Sequence, residues 1–568
     1  MTKHWQDPRR LALLGAGLTL ALGVAGCDEA PVADAPVAVE VTALAGTSCG
    51  DPNAPNVGVD PFADIGSLTI AVRGLDPDKG IVETLVRESA SLRGATSLRV
   101  RNVPEGPDRE VILFADGASQ DWYANHPSVD IQRNTDNVVS LLLTRYGGLS
   151  CVPAPATIPN VVFPAAVDIG HGRVMVSGGF TEVVAAGGAT KLASPSSAAF
   201  IFDSQTGALT PLGSMGDGQG RAAHAMVYLP SAQQVLIVGG LMEMRLDEAR
   251  AFPYVFDPED KGHARTDYVI YDIAANTFRA GLDEMKLGRA FPRAHALSDG
   301  TAVITGGGPW PFDPDETDYV EVDIYDPEDN DLQGGLLDVK HLESFYSRAG
   351  HSLTYLRSTE EGLSQLLVWG GTTPARSVGH PAEVFRQSGR QRDLVNGTFA
   401  EVVIVGEPPA YTYFHETTRL TGERFLVTGG AAFDDGINAP RPDEAWLLTY
   451  VEEPVPTIQV QKVPGLGVGR VFHSALSHDL VNVSVIGGLM GLDAITSDKV
   501  MRFDLSEQLN PWQVESANEA FAPRGGQAGV MQLGGTILLV GGEGSMRPQE
   551  TIQRASVEVF TPTSVTLP

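Results

Sequence analysis

The chain has 568 residues, with 70 acidic side chains against 40 basic ones and a formal net charge of −30. That balance excludes a general binder of phosphate backbones, which needs a basic surface. Hydrophobic content of 43% supports a real core, and 63 glycines with 38 prolines point to many turns rather than a mostly helical protein. The three cysteines, Cys27, Cys49 and Cys151, all lie near the N-terminus, so the long remainder holds no thiol chemistry.

Lys3, Arg9 and Arg10 make a basic start, and Leu11 to Ala25 is an unbroken run of apolar and small residues. The run is too short for a bilayer span and fits a secretory signal segment. It ends in Val24-Ala25-Gly26-Cys27. This tetrapeptide resembles the bacterial lipobox, and the resemblance implies cleavage before Cys27, which would be acylated and hold the protein at a membrane surface. The Arg9-Arg10 pair is only a weak match to a twin-arginine signal. Residues 1–26 are therefore expected to be a lipoprotein signal peptide, and 27–48, rich in Ala, Pro, Val and acids, an anchor and linker.

Residues 49–153 hold β-forming runs at 67–73, 97–103, 110–115 and 137–146, separated by Asp/Pro/Gly turns. Short strands with such turns predict a small β-sandwich. Cys49 and Cys151 flank it, and in an exported protein they are expected to pair.

From residue 154 onward the chain repeats itself. An apolar strand runs into a glycine pair seven times, at 173–179, 234–240, 301–307, 365–371, 424–430, 483–488 and 536–542. The second glycines stand 54 to 67 residues apart. A later strand in most modules ends in an aromatic residue and Asp, as in Phe202-Asp203, Tyr271-Asp272, Tyr325-Asp326 and Phe503-Asp504; Phe385 and Phe560 hold the same place without the Asp. Before most pairs stands an Arg/His cluster: 220–224, 292–295, 347–351, 413–415, 469–473 and 523–527. The first module has Phe-Pro-Ala-Ala-Val-Asp at 163–168 instead.

This pattern resembles the kelch repeat and, in broad layout, the propeller part of galactose oxidase. The resemblance implies an all-β chain: a seven-bladed kelch-type β-propeller over 154–568, one four-stranded blade per repeat, preceded by the disulfide-stapled β-sandwich. Glycines suit strand ends that turn at positive φ or pack closely, and apolar runs suit strands buried between blades. The extra length at 180–197, 241–266 and 431–443 predicts loops on one rim. Ring closure is expected between the C-terminal tail and residues near Ile158–Phe163.

The galactose oxidase family uses a cysteine–tyrosine cross-link beside copper. No cysteine follows Cys151, so that cofactor cannot form in the propeller. In the repeat region neither sialidase boxes nor a Gly-x-Ser-x-Gly elbow, a His-Glu-x-x-His motif or a Walker loop occurs. No catalytic residue, metal ligand set or cofactor is therefore expected. Acidic turns at Asp257–Asp260, Asp313–Glu316 and Asp326–Asp331 admit a calcium reading, but Asp-Pro turns are ordinary hairpin chemistry.

Two readings remain for Arg221, Arg293, Arg348, Arg470 and Arg524 and for His224, His295, His351, His415 and His473. By resemblance to kelch domains, a ring of arginines could form a cationic mouth for carboxylate or sulfate groups. Alternatively each side chain bonds a neighbouring blade and holds the ring together; repetition in every module favours this. Trp310, Trp369 and Trp446 could stack on sugars or pack between blades.

The expected function is a monomeric, lipid-anchored protein of the bacterial cell envelope, at the outer membrane or the periplasmic face of the inner one. It would bind a protein or glycan ligand, without nucleic acid and without catalysis. The alternative is an enzyme acting on sugar rings, an epimerase or mutarotase, with Glu416 beside His415 as its acid/base. A structural envelope role is the third option.

Overall fold

The computed structural model describes residues 35–44 and 59–568, apart from single residues and short stretches inside that span, the longest being 247–263, 308–321, 333–347, 372–381, 516–523 and 544–556. Cys27 and Cys49 lie outside the described residues. So do the acidic turns at 257–260 and 313–316, and Trp310. Among the described residues the one α-helix is the single turn Pro61–Asp64, and everything else regular is β.

The N-terminal part is a seven-stranded sheet. Its strands are β1 (Ala35–Ala43), β2 (Ile65–Leu75), β3 (Val82–Ala90), β4 (Ser97–Val103), β5 (Gly106–Gly117), β6 (Trp122–Ile131) and β7 (Asn137–Arg145). Their order across the sheet is β3-β2-β5-β6-β7-β1-β4. Alternate residues of each strand point inward, as the two-residue period of a strand requires. Val37, Val39 and Val41 meet Leu68, Ile70 and Val72 and Val111, Leu113 and Ala115 in one buried cluster around Trp122.

Part of the expected linker is corrected here. Residues 35–43 form β1, a central strand paired parallel to β7 and antiparallel to β4. The Val37–Val39–Val41 alternation is an inward face, which its acidic and proline-rich surroundings disguise.

Seven blades follow, each a radial antiparallel sheet in which the chain runs outward from the axis. Blade 1 uses 165–168, 173–177, 198–203 and 209–214; blade 2 uses 225–229, 234–238, 268–272 and 277–280. Blade 3 uses 293–296, 302–305, 323–326 and 331–332; blade 4 uses 352–358, 364–369, 382–391 and 394–401. Blade 5 uses 416–420, 424–428, 445–451 and 457–463, with 403–406 added as a fifth, parallel edge strand. Blade 6 uses 474–476, 482–486, 500–504 and 512–514.

Blade 7 takes 528–531, 537–540 and 557–561 from the C-terminus. Its outermost strand is β8 (Gly148–Val152), which pairs Val152 with Val557 and Gly148 with Thr561. Closure through Ile158–Phe163 is thereby overturned, and the propeller begins at β8, inside the segment assigned to the preceding domain. Each innermost strand touches the next around the full circle, blade 7 touching blade 1.

The strand before each glycine pair is buried on both faces, as in Ala302–Thr305 and Ser364–Trp369. The aromatic residue that ends the third strand is buried, and its Asp organises the following turn. The Asp203 carboxylate accepts from the Gln205 and Thr206 amides at 2.9 and 3.0 Å, and the Asp504 carboxylate from Ser506 at 2.9 Å. Asp326 accepts likewise from the Glu328 amide.

Two of the expected rim segments, 180–197 and 431–443, hold β-hairpins; most of the third, 241–266, lies outside the described residues. Phe180–Ala186 pairs with Ala189–Pro195, which pairs in turn with Met244–Leu246 of the next module, while Ala431–Asp434 pairs with Ile437–Pro440 and with Thr412–Tyr413. The N-terminal sheet docks on the opposite face. Tyr123 donates to the Gly534 carbonyl at 3.2 Å and Tyr146 to that of Thr563 at 2.9 Å.

Candidate functional site

The repeated Arg/His clusters build a clasp between blades. Both glycines of every pair have positive φ, from 54° to 104°. The second glycine donates its amide to the backbone carbonyl of the Arg position in the next blade: Gly179 to Arg221 at 2.9 Å, Gly240 to Arg289, Gly430 to Arg470 and Gly488 to Arg524 at 2.8 Å. The guanidinium then turns back into its own blade. Arg221, Arg289, Arg348, Arg470 and Arg524 donate to the carbonyls of Gly239, Gly306, Gly370, Gly487 and Gly541 at 2.7 to 3.3 Å. Four of them pair with an acid at or beside the start of the third strand: Arg221 with Asp267 at 3.1 Å, Arg289 with Asp323 at 2.7 Å, Arg348 with Glu383 and Arg524 with Glu558. All five are at most 2% exposed.

The histidines complete the clasp toward the preceding blade. His224 Nε2 lies 2.9 Å from Ser177 Oγ, His351 2.8 Å from Thr305 Oγ1, His415 3.2 Å from Ser352 Oγ and His473 2.8 Å from Thr428 Oγ1. Burial pushes all four well below their ordinary range, His415 to about 3, with Arg221, Arg348, Arg293 and Arg470 adding repulsion to His224, His351, His415 and His473 respectively. They are neutral hydrogen-bonding struts. In blade 7 Gln527 does the same work, donating to the Ile486 carbonyl at 2.9 Å.

This placement corrects the ligand reading of Arg221, Arg348, Arg470 and Arg524 and of His224, His351, His415 and His473: each is enclosed and used by the ring. Trp369 and Trp446 are likewise buried together between blades 4 and 5, so neither presents a face to a sugar. His295 lies apart from the clasp. It stands on the innermost strand of blade 3, its Nδ1 2.7 Å from the Ala296 carbonyl and its ring stacked 6.1 Å from that of Tyr355; burial lowers its pKa.

Arg293 differs from all of these. The clasp residue of blade 3 is Arg289, which stands 17 residues before its glycine, as Arg470 and Arg524 do before theirs. The equivalents of Arg221 to His224 are thus Arg289 to Pro292, and Arg293 is one place further on, at the start of the innermost strand. Its counterparts in the other blades are Ala165, Ala225, Ser352, Glu416, Ser474 and Ala528. Around the axis these small residues leave a channel of about 290 Å³ into which Arg293 and Glu416 project. Arg293 Nη2 stands 3.6 Å from Glu416 Oε1, an ion contact too long for a hydrogen bond, and each side chain keeps about a third of its surface open, 38% and 33%. The Arg293 Nε donates to the His351 carbonyl at 2.9 Å. Enclosure pushes the Glu416 carboxyl above its ordinary range, and Arg293 offsets part of that rise.

A plug closes one end of this space. The residue before each clasp His position, namely Phe163, Ala223, Phe291, Gly350, Phe414, Phe472 and Gly526, has positive φ in all seven blades, between 52° and 70°. Backbone bonds join five of these residues in one run and the other two as a pair: Phe291 donates to Ala223, Ala223 to Phe163, Phe163 to Gly526 and Gly526 to Phe472, and separately Phe414 to Gly350, at 2.7 to 3.0 Å. The left-handed turn throws the four Phe rings across the axis. Their centroids meet at 4.8 Å for Phe163–Phe472 and Phe291–Phe414 and at 4.6 Å for Phe414–Phe472. Beneath them is a smaller space of about 150 Å³, also lined by Arg293 and Glu416. The plug was not foreseen from the sequence. Its signal was an aromatic residue immediately before the His or Pro position in four modules.

Among the described residues no three His, Cys, Asp or Glu side chains converge as metal ligands. The site is thus a plugged propeller channel holding one loosely joined ion pair. No family model matches the chain, and no curated protein matches its sequence. Among solved structures it is similar to a fungal alcohol oxidase of the AA5 family in complex with copper, at 14% identity and TM-score 0.48, over 73% of this chain and 76% of that one. It is also similar to the protein YjhT, at 14% identity and TM-score 0.41, over 64% of this chain and 98% of the other.

Proposed function

We propose that this chain is a lipid-anchored binding protein of the bacterial cell envelope, held by an acylated Cys27 and stapled by a Cys49–Cys151 disulfide. Its kelch-like propeller takes an acidic protein or glycan group in the central channel, without catalysis. Cys151 is not a free thiol, which supports the staple. One observation carries the binding reading. Among the described residues Arg293 donates one hydrogen bond, through Nε, and its Nη2 faces the channel with the Glu416 carboxylate 3.6 Å away. A guanidinium edge left open in this way is a ready fork for a carboxylate or sulfate oxygen pair. The test is a glycan array and an envelope-extract pull-down with the wild type and Arg293→Ala. Retention of a partner by the wild type and its loss in the variant is expected; equal retention by both would overturn the channel as the binding site.

A second reading rests on Glu416. An enclosed carboxyl with a raised pKa beside a cation is the equipment of a general acid/base, so sugar-ring isomerisation is the enzymatic alternative. Anomer exchange followed by NMR with and without protein decides it: acceleration lost in Glu416→Gln supports the enzyme, and an unchanged exchange rate supports the binder.

A further inference from the structure

The channel pair has an unusual economy. Among the described residues Glu416 is the one carboxylate lining the space around Arg293, and it engages Arg293 at 3.6 Å rather than in a close fork. The other titratable side chains lining the same space are His224 and His473, each neutral and turned toward a hydroxyl of the preceding blade. His415, the chain neighbour of Glu416, is turned toward Ser352 in the same way, and His351 offers only its carbonyl to Arg293. The remaining lining is uncharged: Gln527, Met226 and Leu476 with Ala, Gly, Pro, Ser and Phe. A second negative group brought to Arg293 would therefore lie beside Glu416 with no other cation among the described lining residues to share. Two carboxylates so placed in an enclosed site do not both stay ionised.

We propose that the channel takes a small organic carboxylate, which replaces Glu416 at the Arg293 fork while Glu416 picks up one proton from solvent. The inference rests on the channel being the ligand site and adds the ligand's class and its linkage to pH. No covalent bond changes; one proton moves from solvent to the Glu416 carboxyl, and the charge inside the channel is the same before and after. The cavity of about 290 Å³ limits the ligand to a single ring or a short chain. Its carboxylate would sit below the four-Phe plug.

The experiment is isothermal titration of the whole protein with acetate and glucuronate, and with glucose as the ring lacking a carboxylate. Titrations run at about pH 7.5 and about pH 5, in two buffers of different ionisation enthalpy. The wild type should bind at least one of the two acids and not glucose, taking up close to one proton per ligand at the higher pH. Glu416→Gln, which is neutral at every pH, should bind that acid about tenfold more tightly than the wild type near pH 7.5 and take up no proton, with the gap closing near pH 5. Arg293→Gln should lose the binding at both. Carboxylate binding without proton uptake, or equal affinity of wild type and Glu416→Gln, overturns the exchange and leaves the channel reading intact. Carboxylate binding that survives Arg293→Gln overturns the channel reading itself. Failure of both acids overturns the carboxylate class alone. The buffer comparison on the wild type keeps the proposal falsifiable if the Gln variant does not fold.

Discussion

Arg289 and Arg293 stand four residues apart at the start of blade 3 and have opposite surroundings. Arg289 is buried, gives its Nε to Asp323 at 2.8 Å and its Nη1 to the Gly306 carbonyl at 2.7 Å. Among the described residues Arg293 gives one hydrogen bond, to a backbone carbonyl, and it lines the channel with its Nη2 3.6 Å from Glu416. The first is part of the scaffold and the second lines the channel.

Stability should follow that division. Arg289→Ala leaves the Asp323 carboxylate, 2% exposed, without its cation, which costs about 3–5 kcal/mol by precedent for broken buried pairs. Arg293→Ala removes a loose, part-open contact and should stay within about 1 kcal/mol. Urea unfolding followed by tryptophan fluorescence measures both; equal losses would contradict the assignment.

Acid should loosen the ring. His224, His351, His415 and His473 have folded pKa values below the ordinary 6.5, so the unfolded chain binds protons first. Their contribution is fully present above about pH 6.5 and is lost as pH falls toward the folded values, about 3 for His415. His473→Gln, copying what Gln527 does in blade 7, should reduce the slope of stability against pH by up to about 1.4 kcal/mol per pH unit in that window. An unchanged slope would mean that His473 titrates normally in the fold.

The glycine pairs give a cleaner steric test. A Cβ on Gly429, whose φ is 62°, would lie 2.2 Å from the Arg470 carbonyl oxygen and 2.6 Å from the His473 ring. At Gly362, with φ 84°, it would meet nothing within 4 Å. Gly362→Ala should cost only the left-handed backbone term, about 1–2 kcal/mol. Gly429→Ala should cost clearly more, because the clasp carbonyl must move. Thermal unfolding of the pair checks this, and similar melting temperatures would contradict a tight blade contact.

Ring closure predicts how the chain tolerates truncation. A chain starting at residue 154 lacks β8 and leaves the Val557–Thr561 edge unpaired, whereas one starting at residue 146 retains it. The shorter chain should unfold at lower temperature and aggregate through that edge. Light scattering with calorimetry separates the two; identical behaviour would show that β8 contributes nothing to closure.

Much of this was legible in the sequence, and the exceptions have physical causes. The glycine pairs show because a positive φ and a packed carbonyl admit nothing else, seven times over. The innermost strand of blade 3 was misaligned because Arg293 and His295 imitate the Arg/His spacing, while Pro292 conceals the true register that Arg289 keeps with Gly306. Strand β1 was hidden by the Ala, Pro and acidic residues around its three valines. The Arg293–Glu416 contact joins blades 3 and 5, a proximity that only the closed ring creates. The phenylalanine plug depends on backbone conformation, which residue type alone reports poorly outside glycine.

The central claim is that one guanidinium at the clasp level is left open to a ligand. Phenylglyoxal modification of the folded protein, with peptide mass spectrometry, tests it most directly. Arg293 should be modified, and protected by a bound carboxylate, while Arg221, Arg289, Arg348, Arg470 and Arg524 stay unmodified until the protein unfolds. Protection of Arg293 to the same degree as the five clasp arginines would contradict the account.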